Sequence, residues 1–307
     1  MKPLAEPTIW PSLRRWLLLA GFLAGLLAIG VGVRSVLLRR AMWKVEAYRG
    51  VVFATRSWPR WLGFLEPARA CPPRPLSWPV RLLHEEYALS TECAAWFEPD
   101  DEGLAAVRDL PCMVDLDLVE APVTDAGLRS LRGLVRLREL NLYGTRVVGP
   151  GLEHLRGLSA LRKLVLEHTA IDDAGLACLD DLRGLEELIL SETRITNAGL
   201  SHLLRFPALR SLDLSNTAVD DEGLRRLAGL PLTELELSGT GVTDAGLDQL
   251  SAFPNLEKLD LGHTGVTDAG LDSLKRLTRL KSVNLGATQV SEEAARQALG
   301  EAADLRP

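Results

Sequence analysis

The segment TGVTDAGLDQL at 240–250 returns as TGVTDAGLDSL at 264–274, and APVTDAGLRSL precedes both at 121–131. A chain that rewrites one segment at a fixed period builds like units and stacks them; no unit of this size buries a core alone. Aligned on the large apolar residue that opens each unit, the chain gives Leu110, Leu134, Leu158, Leu182, Phe206, Leu230, Phe253 and Leu277. The spacings are 24 residues five times, then 23, then 24.

Each unit reads approximately L-x-x-L-x-x-L-x-L-x-x-T-x-V-T-D-A-G-L-x-x-L-x-x, as in LVRLRELNLYGTRVVGPGLEHLRG at 134–157. The Leu-x-Leu step, Leu140-Asn141-Leu142 for example, has period two and predicts a short strand with both leucines inward. VTDAGL predicts a helix start, the Asp accepting first-turn N–H groups and the Thr serving as a second capping oxygen. Leucines three apart, such as Leu247 and Leu250, share its inner face, and Gly133, Gly157, Gly184 and Gly229 fall where it must stop. The expected fold class is therefore α/β: a curved repeat solenoid with parallel strands on the concave face and short helices on the convex face. Residues 91–307 form this domain, with a degenerate cap at 91–109, eight repeats from 110 and an Ala/Glu-rich C-terminal helical cap ending at 307.

These units resemble leucine-rich repeats of the cysteine-containing and ribonuclease-inhibitor-like type, in which I/V-T-D-x-G-L opens the helical half. They are also similar to the repeats of F-box adaptors and of bacterial membrane-anchored repeat proteins. The resemblance covers about residues 90–307 and implies a protein-binding scaffold. Two departures matter. The usual Asn or Cys column is filled by Thr145, Thr169, Thr193, Thr217, Thr240, Thr264 and Thr288, and nothing upstream resembles an F-box, so an adaptor role in ubiquitin transfer is not implied.

The front of the chain is different. Residues 1–90 carry 13 Lys/Arg against 5 Asp/Glu, whereas 91–307 carry 22 against 36, so a basic front precedes an acidic body. An acidic body disfavours nucleic acid, which demands a basic footprint. After a basic tail at 1–15, the run from Trp16 to Val33 holds 18 uncharged residues. With snorkelling of Arg34 it extends to Leu38, long enough to span a bilayer. The following Arg-Ser-Val-Leu-Leu-Arg-Arg offers no signal-peptidase site, so an uncleaved single-pass helix at 16–38 is expected. Gly21 and Gly25 form a GxxxG that suits a weak homodimer, although small residues are common in membrane helices. The positive charges after the span lean towards a cytoplasmic repeat domain. Residues 39–90, rich in Trp, Arg and Pro, read as a juxtamembrane linker, either seated among headgroups or a stiff spacer. Four cysteines at 71, 93, 112 and 178 are too scattered for a metal or redox motif. They read as buried apolar residues, with a Cys71–Cys93 bridge left open for an exported domain.

No enzymatic signature is present. The Thr column lacks a base at matching spacing and suits backbone pairing instead. The histidines form no HxxxH or HExxH, and His168 and His263 lie four repeats apart; all are read as solvated. Asp172-Asp173 and Asp220-Asp221 occupy helix starts and read as caps. No cofactor or metal is expected. The expected binding surface is the concave column between the strand leucines: Asp117, Asn141, Val165, Ile189, Asp213, Glu236, Asp260 and Asn284, flanked by Tyr143. Val165 and Ile189 read as an apolar patch. Asp213, Glu236 and Asp260 stack three acids, partly offset by Lys258, that suit a basic segment of a protein partner. The rival reading is a structural spacer of the envelope or of an assembly, dimerising through its membrane helix.

Overall fold

The computed structural model describes residues 51–54, 93–96, 99–110 and 113–304. The tail 1–15, the expected span 16–38 with Gly21 and Gly25, and Cys71 of the Cys71–Cys93 pair lie outside the described residues. Among those described, no helix is long and apolar enough to cross a membrane.

The described strands form one sheet in chain order. They are β1 (Val51–Ala54), β2 (Cys93–Trp96), β3 (Met113–Asp117), β4 (Glu139–Asn141), β5 (Lys163–Val165) and β6 (Glu187–Ile189). Then come β7 (Ser211–Asp213), β8 (Glu234–Glu236), β9 (Lys258–Asp260), β10 (Ser282–Asn284) and β11 (Ala303–Asp304). From β2 onward each strand is parallel to the next, so every coil returns to its start through the convex side. β1 pairs antiparallel with β2. It falls inside 39–90, so four residues of the stretch read as linker belong to the sheet. β11, after the helix Glu292–Leu299, is a second strand with no repeat signature to announce it.

The core is one leucine column per position. Leu116, Leu140, Leu164, Leu188, Leu212, Leu235, Leu259 and Val283 stand in register on consecutive strands and are all buried. Convex leucines such as Leu152, Leu155, Leu200 and Leu203 close the core from the other side. Their helical segments are shorter than full α-helices. Gly127–Leu131, Pro150–Leu155 and Gly199–Arg205 are 3₁₀, and Asp173–Ala177 is a five-residue α-turn. Leucines three apart eclipse in a three-residue turn, so both point inward without an α-helical face. Of the four glycines read as helix stops, only Gly229 has positive φ.

Coils are fastened to each other at three levels. The first is the strand ladder. The second is the residue before each column Thr, and before Ala121 in the equivalent place of the first unit, which is left-handed throughout: φ is 53–55° at Glu120, His168, Glu192, Asn216, His263 and Ala287, and 64° and 69° at Gly144 and Gly239. Non-glycine residues pay about 1 kcal/mol there. What holds them is an N–H bond to the next coil, for example His168 N to Ser191 O at 3.0 Å and Asn216 N to Ser238 O at 2.8 Å.

The third level corrects the reading of the acid pairs. The first residue of each pair caps its own helix: Asp172 accepts from Ala174 N and Gly175 N, Asp220 from Glu222 N, and Thr243 and Thr267 cap in the Thr-Asp units. The second acid reaches forward to the next coil. Asp173 accepts from Thr196 N at 2.9 Å and Thr196 Oγ1 at 2.6 Å. Asp101 does the same for Thr124, Asp221 for Thr243, Asp244 for Thr267 and Asp268 for Ser291. The reason is geometric: a helix start needs one acceptor close to its axis, and the next side chain points along the solenoid. At Gly149 the chain has no such acid. There a Cβ would lie 2.7 Å from Gly175 Cα, so the two coils meet backbone to backbone.

Asp173→Ala leaves the N–H and hydroxyl of Thr196 without their acceptor. It is expected to lower the free energy of unfolding by about 1–3 kcal/mol. Asp272→Ala, at an exposed carboxylate that pairs only with Lys275, is expected to stay within about 0.5 kcal/mol of the parent. Urea denaturation of both variants compares them.

Candidate functional site

Concave positions alternate with the inward leucines on each strand. Registered pairing brings Asp117, Asn141, Val165, Ile189, Asp213, Glu236, Asp260 and Asn284 into a single row along the sheet. The members of this row differ in what they do. Asp117 accepts from Val119 N, Asn141 from Tyr143 N, Asp213 from Ser215 N, Asp260 from Gly262 N and Asn284 from Gly286 N, at 2.8–3.2 Å. Each is an Asx turn in which a short side chain caps the amide two residues on, where the strand ends. Sequence reasoning missed this role, although its signal was visible: Asp and Asn have the reach for it, and they fill five of eight positions.

Val165, Ile189 and Glu236 cannot make that turn, and they are the places where the row departs from local need. Val165 is 7% exposed, which corrects its reading as an exposed aliphatic. Of the pair only Ile189 is half-exposed. Tyr143 lies beside them with its ring stacked on His168, centroids 5.9 Å apart and planes 22° apart. His168 Nδ1 in turn lies 2.9 Å from Glu192 Oε2.

Three of the four described histidines have side-chain partners as well as solvent: besides His168, His154 Nδ1 lies 3.1 Å from Arg132 Nε and His202 Nδ1 lies 3.2 Å from Asp180 Oδ1, while His263 is exposed. They remain dispersed. Among the described residues no group of His, Cys, Asp and Glu is placed to hold a metal ion. The Cys178 thiol is half-buried, and burial pushes its pKa up.

The Thr column turns inward to its own coil. Thr145, Thr169, Thr193, Thr217, Thr240, Thr264 and Thr288 each donate Oγ1–H to the carbonyl three residues earlier, at 2.5–2.8 Å. All but Thr288 are buried. A buried carbonyl at the strand-to-turn corner thus receives the partner it requires.

Charge is distributed unevenly over the concave face. The outer column holds two cross-strand ion pairs: Lys163 Nζ sits 2.5 Å from Glu187 Oε1, and Lys258 Nζ sits 2.6 Å from Glu234 Oε1. Lys258 thus makes its close ion pair with Glu234, and Glu236 of the acidic trio acts on it at longer range. Asp260 is held by both its Asx turn and Asn284 Nδ2, 3.0 Å from each of its carboxylate oxygens. Glu236, between Asp213 and Asp260, has neither a turn nor a cation within ion-pair distance among the described residues. Its tip stays open to solvent while the concave walls displace water around its base. Desolvation, then Asp213, Asp260, Glu234 and Glu167, push its pKa from the usual carboxylate range up to about 7. Glu167 is raised also, first by desolvation, then by Asp213 and Glu192. At the other end of the face, Asp115 is raised by desolvation, Glu139 and Asp117.

A carboxyl whose folded pKa exceeds its unfolded value holds its proton longer in the fold. Between about pH 4.5 and 7 the folded state binds more protons, so this group's contribution makes stability fall as pH rises through that window. Glu236→Gln is expected to be more stable than the parent above pH 7, with the difference closing below about pH 5. Thermal denaturation at pH 5 and pH 8 tests both the sign and the window.

Comparison with known proteins agrees with this architecture. A family model described as Leucine Rich repeat matches residues 207–228, 231–251 and 254–275. No curated protein matches the chain by sequence. Among solved structures, internalin C2 of Listeria monocytogenes is similar at TM-score 0.51 and 22% identity, over 66% of this chain and 83% of that one. A chain of the mouse RP105/MD-1 complex is similar at TM-score 0.52 and 17% identity, over 65% of this chain but only 39% of that one. At such identities the likeness is one of fold. The described repeats form a leucine-rich repeat solenoid with its parallel strands in one sheet.

Proposed function

We propose that the protein is a non-enzymatic, membrane-anchored scaffold that binds another protein on its concave face. The observation that carries this is the pair of row positions Ile189 and Glu236, where accessible side chains suited to a ligand replace those that cap the strand ends. A leucine-rich repeat solenoid of this kind suggests an interaction scaffold. The fold also occurs within a protein assembly, the RP105/MD-1 complex. Asp213, Glu236 and Asp260, which follow Ile189 along the row, would steer a basic segment, and the half-exposed Ile189 would hold it. The anchor is the apolar run 16–38. Arg39, Arg40, Lys44 and Arg49 after it, with Arg34 near its end, favour a cytoplasmic repeat domain.

A photoreactive amino acid at Ile189, in cells expressing the full chain, is expected to cross-link a discrete protein that the same group at convex Arg226 does not. Equal cross-linking from both sites removes the concave-face reading. The chain is expected in the carbonate-resistant membrane fraction, and its release by carbonate removes the anchor. A tag after Pro307 is expected to resist protease in intact cells and be lost after permeabilisation. Loss from intact cells places the repeats outside.

A further inference from the structure

The acidic body has one basic interruption. Residues 126–163 carry 8 Lys/Arg against 2 Asp/Glu, whereas the rest of 91–307 carries 14 against 34. This block runs from the 3₁₀ segment before β4 to the first residue of β5.

The fold gathers most of its charge on one flank, the edge of the solenoid where convex segments end and strands begin. Arg132 follows Gly127–Leu131, and Arg156 follows Pro150–Leu155. Arg138 and Arg162 stand directly before β4 and β5, adjacent on consecutive coils, with Arg162 N donating to Arg138 O at 2.8 Å. The local acids hold this charge only loosely. Arg132 Nη2 lies 3.7 Å from Glu153 Oε1 and Arg156 Nε 3.7 Å from Asp181 Oδ2, and the two arginine side chains stay 62% and 54% exposed. Exposed pairs of that length contribute little and yield readily to another anion. Among these cations stands Val135, 55% exposed, one of three large apolar side chains that the described residues leave open. The opposite flank, where strands end, carries the capping and forward aspartates instead.

The chain itself limits what this flank can reach. β1 and β2 form the N-terminal edge of the sheet, and β4 lies three strands from β1, about 14 Å at the usual strand spacing. Only 13 residues separate Leu38, the end of the proposed anchor, from Val51, at most about 45 Å of extended chain. Ala54 and Cys93 pair where β1 ends and β2 begins, so the Trp- and Arg-rich stretch 55–92 leaves and rejoins the fold on this same flank.

We infer that the strand-start flank of these two coils, with Arg132, Arg136, Arg156 and Val135, docks on the anionic headgroups of a lipid bilayer. The inference rests on the anchor reading above and adds the orientation of the repeats on the membrane. Guanidinium groups pair with phosphate oxygens in a planar fork. The attraction fades within a Debye length of the surface, about 10 Å in ordinary buffers, so it needs a second signal that keeps the flank near the bilayer. The short tether is that signal. The cytoplasmic leaflet is the anionic one, which is the side proposed for the repeats. Docking on a flank leaves the concave row uncovered, with Ile189 and Glu236 facing along the membrane rather than into it.

The test uses the full chain in nanodiscs and a fluorescent amino acid, acridonylalanine, at position 135 or 148. Val135 and Val148 are both exposed and belong to the same basic block, but Val148 precedes its convex segment on the other flank. A lipid bearing a headgroup spin label quenches whichever probe approaches the surface. With about 30% phosphatidylglycerol, quenching at 135 is expected to exceed that in pure phosphatidylcholine at least about twofold, while quenching at 148 is unchanged. Raising the salt from 0.05 M to 0.5 M, which shortens the Debye length to about 4 Å, is expected to remove the difference. Arg132→Gln, Arg136→Gln and Arg156→Gln together are expected to remove it as well, whereas Lys at the same three positions retains it. Far-ultraviolet circular dichroism verifies that both triple variants are folded. Equal quenching at 135 in the two lipids, an equal rise at 148, or a rise that survives the Gln substitutions overturns the inference. A response of the 135 probe to soluble polyglutamate with none to phosphatidylglycerol assigns the flank to an acidic protein segment and overturns it too. If the chain does not enter nanodiscs, the anchor reading fails by itself. The same probe pair then reads the flank against added anionic vesicles, where a response confined to 135 sustains docking and its absence overturns it.

Discussion

A coil of this solenoid has two surfaces it cannot satisfy alone: a leucine cluster open at both sides, and a row of amide groups facing its neighbours. Everything else depends on how the next coil closes them. The strand ladder answers for one edge and the left-handed corner for a second. The aspartate after each helix cap answers for the third, where Asp173, Asp221, Asp244 and Asp268 fasten the N–H and hydroxyl of the following coil. Because these contacts run only between neighbours, stability accumulates coil by coil. That also explains why the recurring segment is so strict. Thr, Asp, Gly and Leu in VTDAGL each do something different for a different neighbour: cap, forward tie, close approach and core.

Much of this was legible in the sequence because its causes are periodic. The leucines mark strand and core, the Thr column marks the corner, and the solenoid follows from both. What was not legible has a common reason: it depends on direction rather than period. Asp172 and Asp173 are adjacent identical residues, yet one points into its own helix and the other along the stack, and no pattern in one unit separates them. The concave row likewise looked uniform as a list of polar residues. Only side-chain length against the strand end divides the Asx-turn residues Asp117, Asn141, Asp213, Asp260 and Asn284 from Val165, Ile189 and Glu236. β1 and β11 escaped because the edges of a repeat array are written in non-repeat sequence; they were recruited by open hydrogen-bonding edges rather than by pattern.

The division of the concave row also joins stability to recognition. Aspartates used as turn caps are fixed in direction and stay at their posts whether or not a ligand is present. For the proposed partner they would form a negative template already fixed in direction, which is the advantage of preorganisation. Glu236 differs. Placed between two such fixed charges and deprived of water at its base, it is held partly neutral near pH 7. The repeat pattern asks for a cap at that position and receives a longer acid that cannot cap. A residue that breaks a local rule without local compensation is where function is expected to lie.

The junction at Gly149 shows the same exchange between the two faces. On the convex side that junction lacks the forward aspartate, and the backbone bridge that recurs at six other coil boundaries, from Thr124–Arg146 to Thr267–Gln289, is missing from it as well. The coils close instead through the Gly149–Gly175 contact, possible only because neither residue has a side chain. On the concave side the same two coils carry Tyr143 and His168, whose rings stack across the junction. The Pro150 that follows Gly149 sets the start of the 3₁₀ turn without needing a capping acid. The glycine contact on one face and the ring stack on the other thus stand at this junction where the forward aspartate and its bridge stand elsewhere.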